Sequence, residues 1–288
     1  MYDFVILGTR GQRPRCGEAY VRYGGHTTCF SLRTPSGLLL VDAGTGALEA
    51  HAIADVPSVT LLFTHFHLDH LLGLPVLPSL CRRDASLRLL ADPRRRPDWK
   101  QALQAFVDAP FWPVPLARLH PGLRLEDLPI SADRLEVDGV RVTWMRVPHP
   151  QQCLAFRLEA PGLSVVIATD LEYAPDAVAD DFVAFCRRAD VLVMDAEFTP
   201  EEYERHRGWG HSPWLSATIA ASRANVSRLV LAHHAPMRTD ERMDLLLDAA
   251  RREFPNTDAG CDQMNVCAGT PVPGEREPGG GQRSRGAP

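Results

Sequence analysis

The chain has 288 residues, 45% of them apolar and 23% charged, with a formal net charge of −5 and a pI near 6.1. This length and apolar content can fill one large layered domain or two small ones, and the mild acidity excludes a general attraction for nucleic acid or anionic membrane. No apolar run approaches the roughly 20 residues of a membrane span. The start Met1-Tyr2-Asp3-Phe4 lacks a basic region, and the seven cysteines (16, 29, 81, 153, 186, 261 and 267) are scattered without a CxxC pair, so the expected setting is a reducing cytoplasm with free thiols.

Short β-type runs, each bounded by Gly, Pro, Asp or Ser, predict strands at 4–7, 28–32, 38–41, 59–63 and 87–90. A helical pattern follows at 97–108, and then strands at 140–147, 154–158 and 164–168. A helix at 177–188, a strand at 191–194, a helix at 213–224, a strand at 229–232 and a helix at 241–254 complete the series. Ser212 is placed to cap the helix that opens with Pro213. There is no internal repeat. Strand-rich stretches followed by helices in each half predict an α/β sandwich of two sheets with helices outside. The expected domain covers 1–269; residues 270–288 carry no apolar periodicity and are expected to be a disordered tail.

Six polar groups fall at the carboxyl ends of six apolar strands. Asp42 ends the run Gly-Leu-Leu-Leu-Val, and the cluster His65-Phe66-His67-Leu68-Asp69-His70 follows the strand at 59–63. His149, Asp170, Asp195 and His233 follow the strands at 140–147, 164–168, 191–194 and 229–232. In open α/β sheets ligands bind at that edge. A lone His beside a strand is more often an ordinary hydrogen-bonded residue, and a lone Asp more often a turn or helix cap. The cluster at 65–70 reverses that reading, because three imidazoles and a carboxylate within six residues pack poorly and repel once protonated. Neutral imidazoles and carboxylates suit divalent metals, zinc first, with manganese and iron also accommodated. His65 and His67 can point the same way from an extended segment while Asp69 and His70 enter the turn, so one segment supplies two adjacent ions. His149, Asp170 and His233 are the natural further ligands, with Asp170 as the bridge.

With these motifs in this order the sequence resembles the metallo-β-lactamase fold superfamily, whose signature is HxHxDH, over nearly all of the chain before its tail. The resemblance implies a four-layer αββα sandwich. It assigns Asp42, in Leu-Val-Asp-Ala-Gly-Thr-Gly, to the first motif, where an aspartate supports the metal-bound histidines from behind. It assigns His65, His67, Asp69 and His70 to the second motif, and His149, Asp170 and His233 to the third, fourth and fifth. Alignment with the family pattern favours His233 over His234. Gly210-His211-Ser212 ahead of a helix, 22 positions before His233, is similar to the phosphodiesterase branch of ribonuclease Z and the bacterial phosphoribosyl cyclic phosphate phosphodiesterases. The segments Gly8-Thr9-Arg10-Gly11 and Tyr23-Gly24-Gly25-His26-Thr27 resemble the latter group, where Asn is commoner than His26.

In that branch the residue matching His211 donates a proton, oriented by a carboxylate at the position of Asp195. The resemblance thus implies two ions roughly 3.5–4 Å apart sharing a hydroxide, with Asp69 orienting the attack on a small cyclic or nucleotide-type phosphodiester. Ribonuclease Z carries a long tRNA-gripping arm between its third and fourth motifs. Here His149 and Asp170 are 21 residues apart, so no such arm and no stable nucleic-acid complex or membrane partner is expected. A homodimer is compatible with the resemblance. Two alternatives remain open: a lactone or thioester hydrolase on the same site, and a non-catalytic metal-binding sensor. His26, His51, His120 and His206 are read as ordinary structural histidines. Phe111-Trp112, in a proline-rich connection, would either cover a pocket or plug the core, and Arg94-Arg95-Arg96 with Arg82 and Arg83 reads as a solvated basic face.

Overall fold

The computed structural model describes residues 2–266, so the tail expected at 270–288 lies outside them. The first half of the chain forms β1 (Asp3–Gly8), β2 (Cys29–Arg33), β3 (Leu38–Val41), β4 (Ser58–Leu62), β5 (Ser86–Ala91) and β6 (Leu123–Asp127), with helices α1 (Leu77–Leu80), α2 (Trp99–Phe106) and α3 (Leu116–Leu119). The second half forms β7 (Arg134–Val137), β8 (Val140–Val147), β9 (Cys153–Ala160), β10 (Leu163–Ala168), β11 (Val191–Asp195), β12 (Arg228–Ala232), β13 (Thr257–Ala259) and β14 (Met264–Asn265). Its helices are α4 (Asp180–Cys186), α5 (Pro200–His206), α6 (Trp214–Ala224) and α7 (Asp240–Glu253). One sheet runs β14-β1-β2-β3-β4-β5-β6 and the other β13-β12-β11-β10-β9-β8-β7.

Side chains alternate across each strand, so each sheet has an inner and an outer face. Phe4, Ile6, Phe30, Leu39, Val41 and Leu62 of the first sheet meet Val142, Phe156, Val165, Ile167, Val193 and Val230 of the second in a shared core. The neighbouring positions Val166, Ala168, Leu192, Met194, Leu229 and Leu231 face outward and pack under Phe182, Ala217, Ala221 and Leu246 of α4, α6 and α7. On the opposite flank Leu38, Leu40, Val59, Leu61, Leu87 and Leu89 are covered by Leu77, Trp99 and Leu103 of α1 and α2. The architecture is therefore the four-layer αββα sandwich of the metallo-β-lactamase fold. Strands buried on both faces read as continuous apolar runs, as in the fully buried β3 and β11.

The strands β3, β4 and β5 are mutually parallel, as are β10, β11 and β12. Their carboxyl ends therefore gather at one edge of the sandwich. Between His149 and Asp170 the chain is taken up by the antiparallel pair β9 and β10, joined at Ala160↔Leu163. Two local expectations change. The helices expected at 97 and 177 begin at Trp99 and Asp180. Ser212 does not cap α6: its hydroxyl donates to the Leu171 carbonyl at 2.7 Å and accepts from the Tyr173 N–H, leaving Pro213 at the cap position without a side-chain bond. No helix among the described residues is long and apolar enough to cross a membrane, and the six cysteines among them are free thiols.

Candidate metal centre

Three of the strand-end residues leave their sheets through left-handed backbone: Asp42 (φ 60), Asp170 (φ 57) and His233 (φ 55). Aspartate and histidine are both among the side chains that enter this region more often than most. His65, Asp69, His70, His149, Asp170 and His233 are all buried, and His67 is half-buried at the rim.

These side chains converge in two groups that share Asp170. His65, His67, His149 and Asp170 present donor atoms within 4.8 Å of one another, and so do Asp69, His70, Asp170 and His233. In the first group His65 Nε2 lies 3.7 Å from Asp170 Oδ1, and His149 Nε2 lies 3.4 Å from His67 Nδ1. In the second, His70 Nε2 lies 3.1 Å from Asp170 Oδ2, while His233 Nε2 is 3.2 Å from Asp170 Oδ1 and 3.3 Å from Asp69 Oδ2. A third group, Asp195, His211 and His233, adjoins the second. His211 Nδ1 pairs with Asp195 Oδ2 at 2.8 Å, and its ring stacks on His233 with centroids 4.4 Å apart.

The surroundings set the protonation of these groups. Burial and the neighbouring His70 push His65 well below the ordinary histidine range, and burial lowers His67 and His149 as well. Burial opposes charge on His70 and His233 too, but Asp170 and the other carboxylates outweigh it and hold both well above that range. Burial alone would raise Asp170, yet His233, His70 and His65 hold it well below the usual carboxylate range. Against burial and His233, Asp195 raises His211.

The outward-facing nitrogens are also held. His70 Nδ1 bonds Asp42 Oδ2 at 2.7 Å, and Asp42 accepts from Thr64 N and Oγ1 at 2.9 and 2.7 Å. His149 Nδ1 donates to the Gly210 carbonyl at 2.9 Å. A Cβ on Gly210 (φ 91) would come within 2.5 Å of that same ring nitrogen, so glycine lets the 208–211 loop close on His149. Asp195 accepts from Asp170 N, Glu197 N and Ser212 N in addition to His211.

Facing inward, His65 Nε2, His70 Nε2 and Asp170 Oδ2 are buried and make no hydrogen bond. Orphaned polar atoms of this kind carry a desolvation penalty of about 1–3 kcal/mol each. A divalent cation in each pocket would satisfy them, and sets of imidazole with carboxylate suit zinc-like ions. The residues present therefore fit a two-ion centre.

The sequence reading did not single out two residues that touch this centre. Glu197 is buried, with Oε2 3.1 Å from His233 Nδ1 and 3.5 Å from His211 Nε2. Gln12 donates its backbone N–H to Asp69 Oδ2 at 2.7 Å and its side-chain amide to Glu197. The spacing Asp195-Ala196-Glu197 was the available signal, since residues two apart on extended chain share a side. Other histidines lie outside the groups. His234 bonds the Gly260 carbonyl at 2.8 Å and is pushed down to about 3 by burial and Arg10. His26 adjoins Thr45 and Glu49, His51 pairs with Glu49, His120 bonds the Arg82 carbonyl, and His206 stacks on Phe198. Trp112 packs against the core while Phe111 is 77% exposed. Arg82, Arg94 and Arg96 pair with Asp84, Asp92 and Asp98, and Arg95 lies 3.7 Å from Asp92.

Comparison with known proteins bears on what this centre is. Residues 38–234 match the family model described as a beta-lactamase superfamily domain. Ribonuclease Z of Lacticaseibacillus casei (strain BL23) is 28% identical over 262 residues, covering 76% of this chain and 81% of that protein. Ribonuclease Z of Thermobifida fusca (strain YX) is 27% identical over 324 residues and covers 97% of each. Among solved structures, the metallo-β-lactamase fold protein YhfI from Bacillus subtilis is similar with a TM-score of 0.70 at 19% identity, covering 92% of this chain and 98% of its own. A diphosphatase from the PhnP family follows with a TM-score of 0.66 at 16% identity, covering 92% and 97%. At these identities the structural likenesses establish the fold.

Proposed function

The chain belongs to the β-lactamase superfamily, and from that premise we propose that it is a two-metal phosphodiesterase acting on a small cyclic or nucleotide-type phosphodiester. The observation that carries this reading is the pairing of two four-donor pockets sharing Asp170 with a His211–Asp195 dyad whose imidazole stacks on His233 at 4.4 Å. His65, His67, His149 and Asp170 would hold one ion and Asp69, His70, Asp170 and His233 the other, with zinc the best match to the donors. Bound there, two divalent ions supply Lewis acidity, charge to offset that of a phosphoryl transition state, and a lowered pKa for water.

The chain's own side chains do the remaining work. Asp195 accepts a hydrogen bond from Nδ1–H of His211 and fixes the ring, so that Nε2–H is the group that would protonate the departing oxygen. The same carboxylate raises His211 against burial, favouring the protonated donor near neutral pH. Asp69, which accepts from the Gln12 N–H, would orient the attacking water. The relatives named ribonuclease Z support a phosphodiester bond as the target. The short β9–β10 pairing between His149 and Asp170 favours a small substrate over one held by a long arm.

The test is hydrolysis of bis(p-nitrophenyl) phosphate by metal-quantified protein, with zinc and manganese supplied separately and a carboxylic ester run in parallel. Diester turnover that collapses in His211→Ala is the expected result. Ester turnover with a silent diester would replace this reading with a lactone or thioester hydrolase. Two bound metals and silence on both substrates would point to a sensor.

A further inference from the structure

The segment that follows β1 lies directly against the centre. Gly11 N donates to the His234 carbonyl at 3.0 Å, and His234 N donates to the Thr9 carbonyl at 2.9 Å, so residues 9–11 run alongside 233–234. A Cβ on Gly11 would come within 2.4 Å of the His233 ring, so only glycine lets this segment lie on that imidazole. The next residue, Gln12, adopts left-handed backbone (φ 61). It reaches the centre twice, through its N–H to Asp69 Oδ2 at 2.7 Å and through its amide to Glu197 Oε1. The other oxygen of Glu197 takes His233 Nδ1 at 3.1 Å, which turns His233 Nε2 toward Asp69 and Asp170.

We infer that Gln12 and Glu197 form a clamp that poses two of the four donors of one ion pocket, Asp69 and His233, and acts on the other pocket only through the shared Asp170. Glu197 is thus a positioning residue, and the Asp69–His70–Asp170–His233 pocket depends on the segment after β1 while the His65–His67–His149–Asp170 pocket does not. The outer partners of the latter are Thr64 Oγ1 on His65 and the Gly210 carbonyl on His149, neither of which touches Gln12 or Glu197. A carboxylate on the outer nitrogen of a ligating imidazole fixes its tautomer and strengthens it as a donor, and removing one weakens metal affinity about 10–100-fold.

This inference rests on the two-ion reading of the site, and the test separates the two. The full chain is stripped of metal, dialysed against graded free Mn²⁺, and followed by metal analysis and by the paramagnetic resonance of coupled against isolated Mn²⁺. Metal uptake is the readout because Glu197 also faces His211 Nε2 at 3.5 Å, so turnover would mix two effects. Wild-type protein is expected to take up two ions with a coupled signal. Glu197→Ala should keep the first ion at wild-type affinity and weaken the second about 10–100-fold, leaving an isolated-ion signal. Glu197→Gln, whose amide oxygen can still accept from His233, should restore most of that loss. Wild-type protein that takes one ion overturns the two-ion reading and the clamp with it. Two ions at wild-type affinity in Glu197→Ala, or equal weakening of both, overturns the clamp alone.

Discussion

The two donor pockets share Asp170 and draw on the same side-chain types, yet opposite forces dominate in them. Around His65, His67 and His149 burial prevails and the imidazoles are pushed down, toward the neutral form. Around His70 and His233 burial is as deep, but Asp170, Asp42, Asp69 and Glu197 surround the rings and hold them well above the ordinary range. The backing differs in the same sense. Neutral groups, the Thr64 hydroxyl and the Gly210 carbonyl, stand behind the first pocket. Carboxylates, Asp42 and Glu197, stand behind the second. Burial alone therefore does not set the character of these histidines; Asp170 outweighs it at His70 and His233, and the carboxylates Asp42, Asp69 and Glu197 add to it.

The largest effect is expected at the element the two pockets share. Asp170→Ala removes the carboxylate common to both pockets, so metal content should fall at both and turnover should drop to background. Full occupancy by metal analysis would show that the pockets are not joined through Asp170. His211→Ala leaves both pockets intact and should retain both ions while slowing turnover about 10²–10⁴-fold on a diester with a poor leaving group. Equal rates for wild type and variant on that diester would remove His211 as proton donor. Asp42→Asn keeps a side chain that tolerates the left-handed backbone but strips the charge behind His70. Metal titration should show the second pocket weakened about 10–100-fold and the first by less, since Asp42 reaches His65 only through Thr64; equal weakening of both would end the distinction between neutral and anionic backing.

Thr199→Ala supplies the smallest effect and a control outside both pockets. Thr199 forms a capping box with Glu202 at the start of α5, so its loss should cost about 1 kcal/mol in denaturant unfolding. Metal uptake should not change. A shift in uptake would mean that α5, which follows Glu197, transmits local strain into the second pocket.

The donor cluster at 65–70 was legible in the sequence, because those side chains are neighbours on one segment. The sequence also placed Asp42, Asp170, Asp195 and His233 after short apolar runs that read as buried strands, and His149 after the alternating run of β8. The strands it missed, β6, β7, β13 and β14, are the four sheet edges. Edge strands are short and carry charge, as in Leu-Arg-Leu-Glu-Asp of β6 and Arg-Leu-Glu-Val of β7, so they lack the apolar run that marks a buried strand. The family pattern favoured His233 over His234, and the fold agrees: His233 joins the other donors while His234 bonds the Gly260 carbonyl. Tertiary structure alone brought Gln12 and Glu197 to the centre: parallel pairing sets Asp195 against Ala232, which carries Glu197 to His233, and the segment after β1 is drawn there by its pairing with 233–234. A sequence records which residues can bind a metal; the pairing of strands far apart in the chain decides which group, neutral or charged, stands behind them.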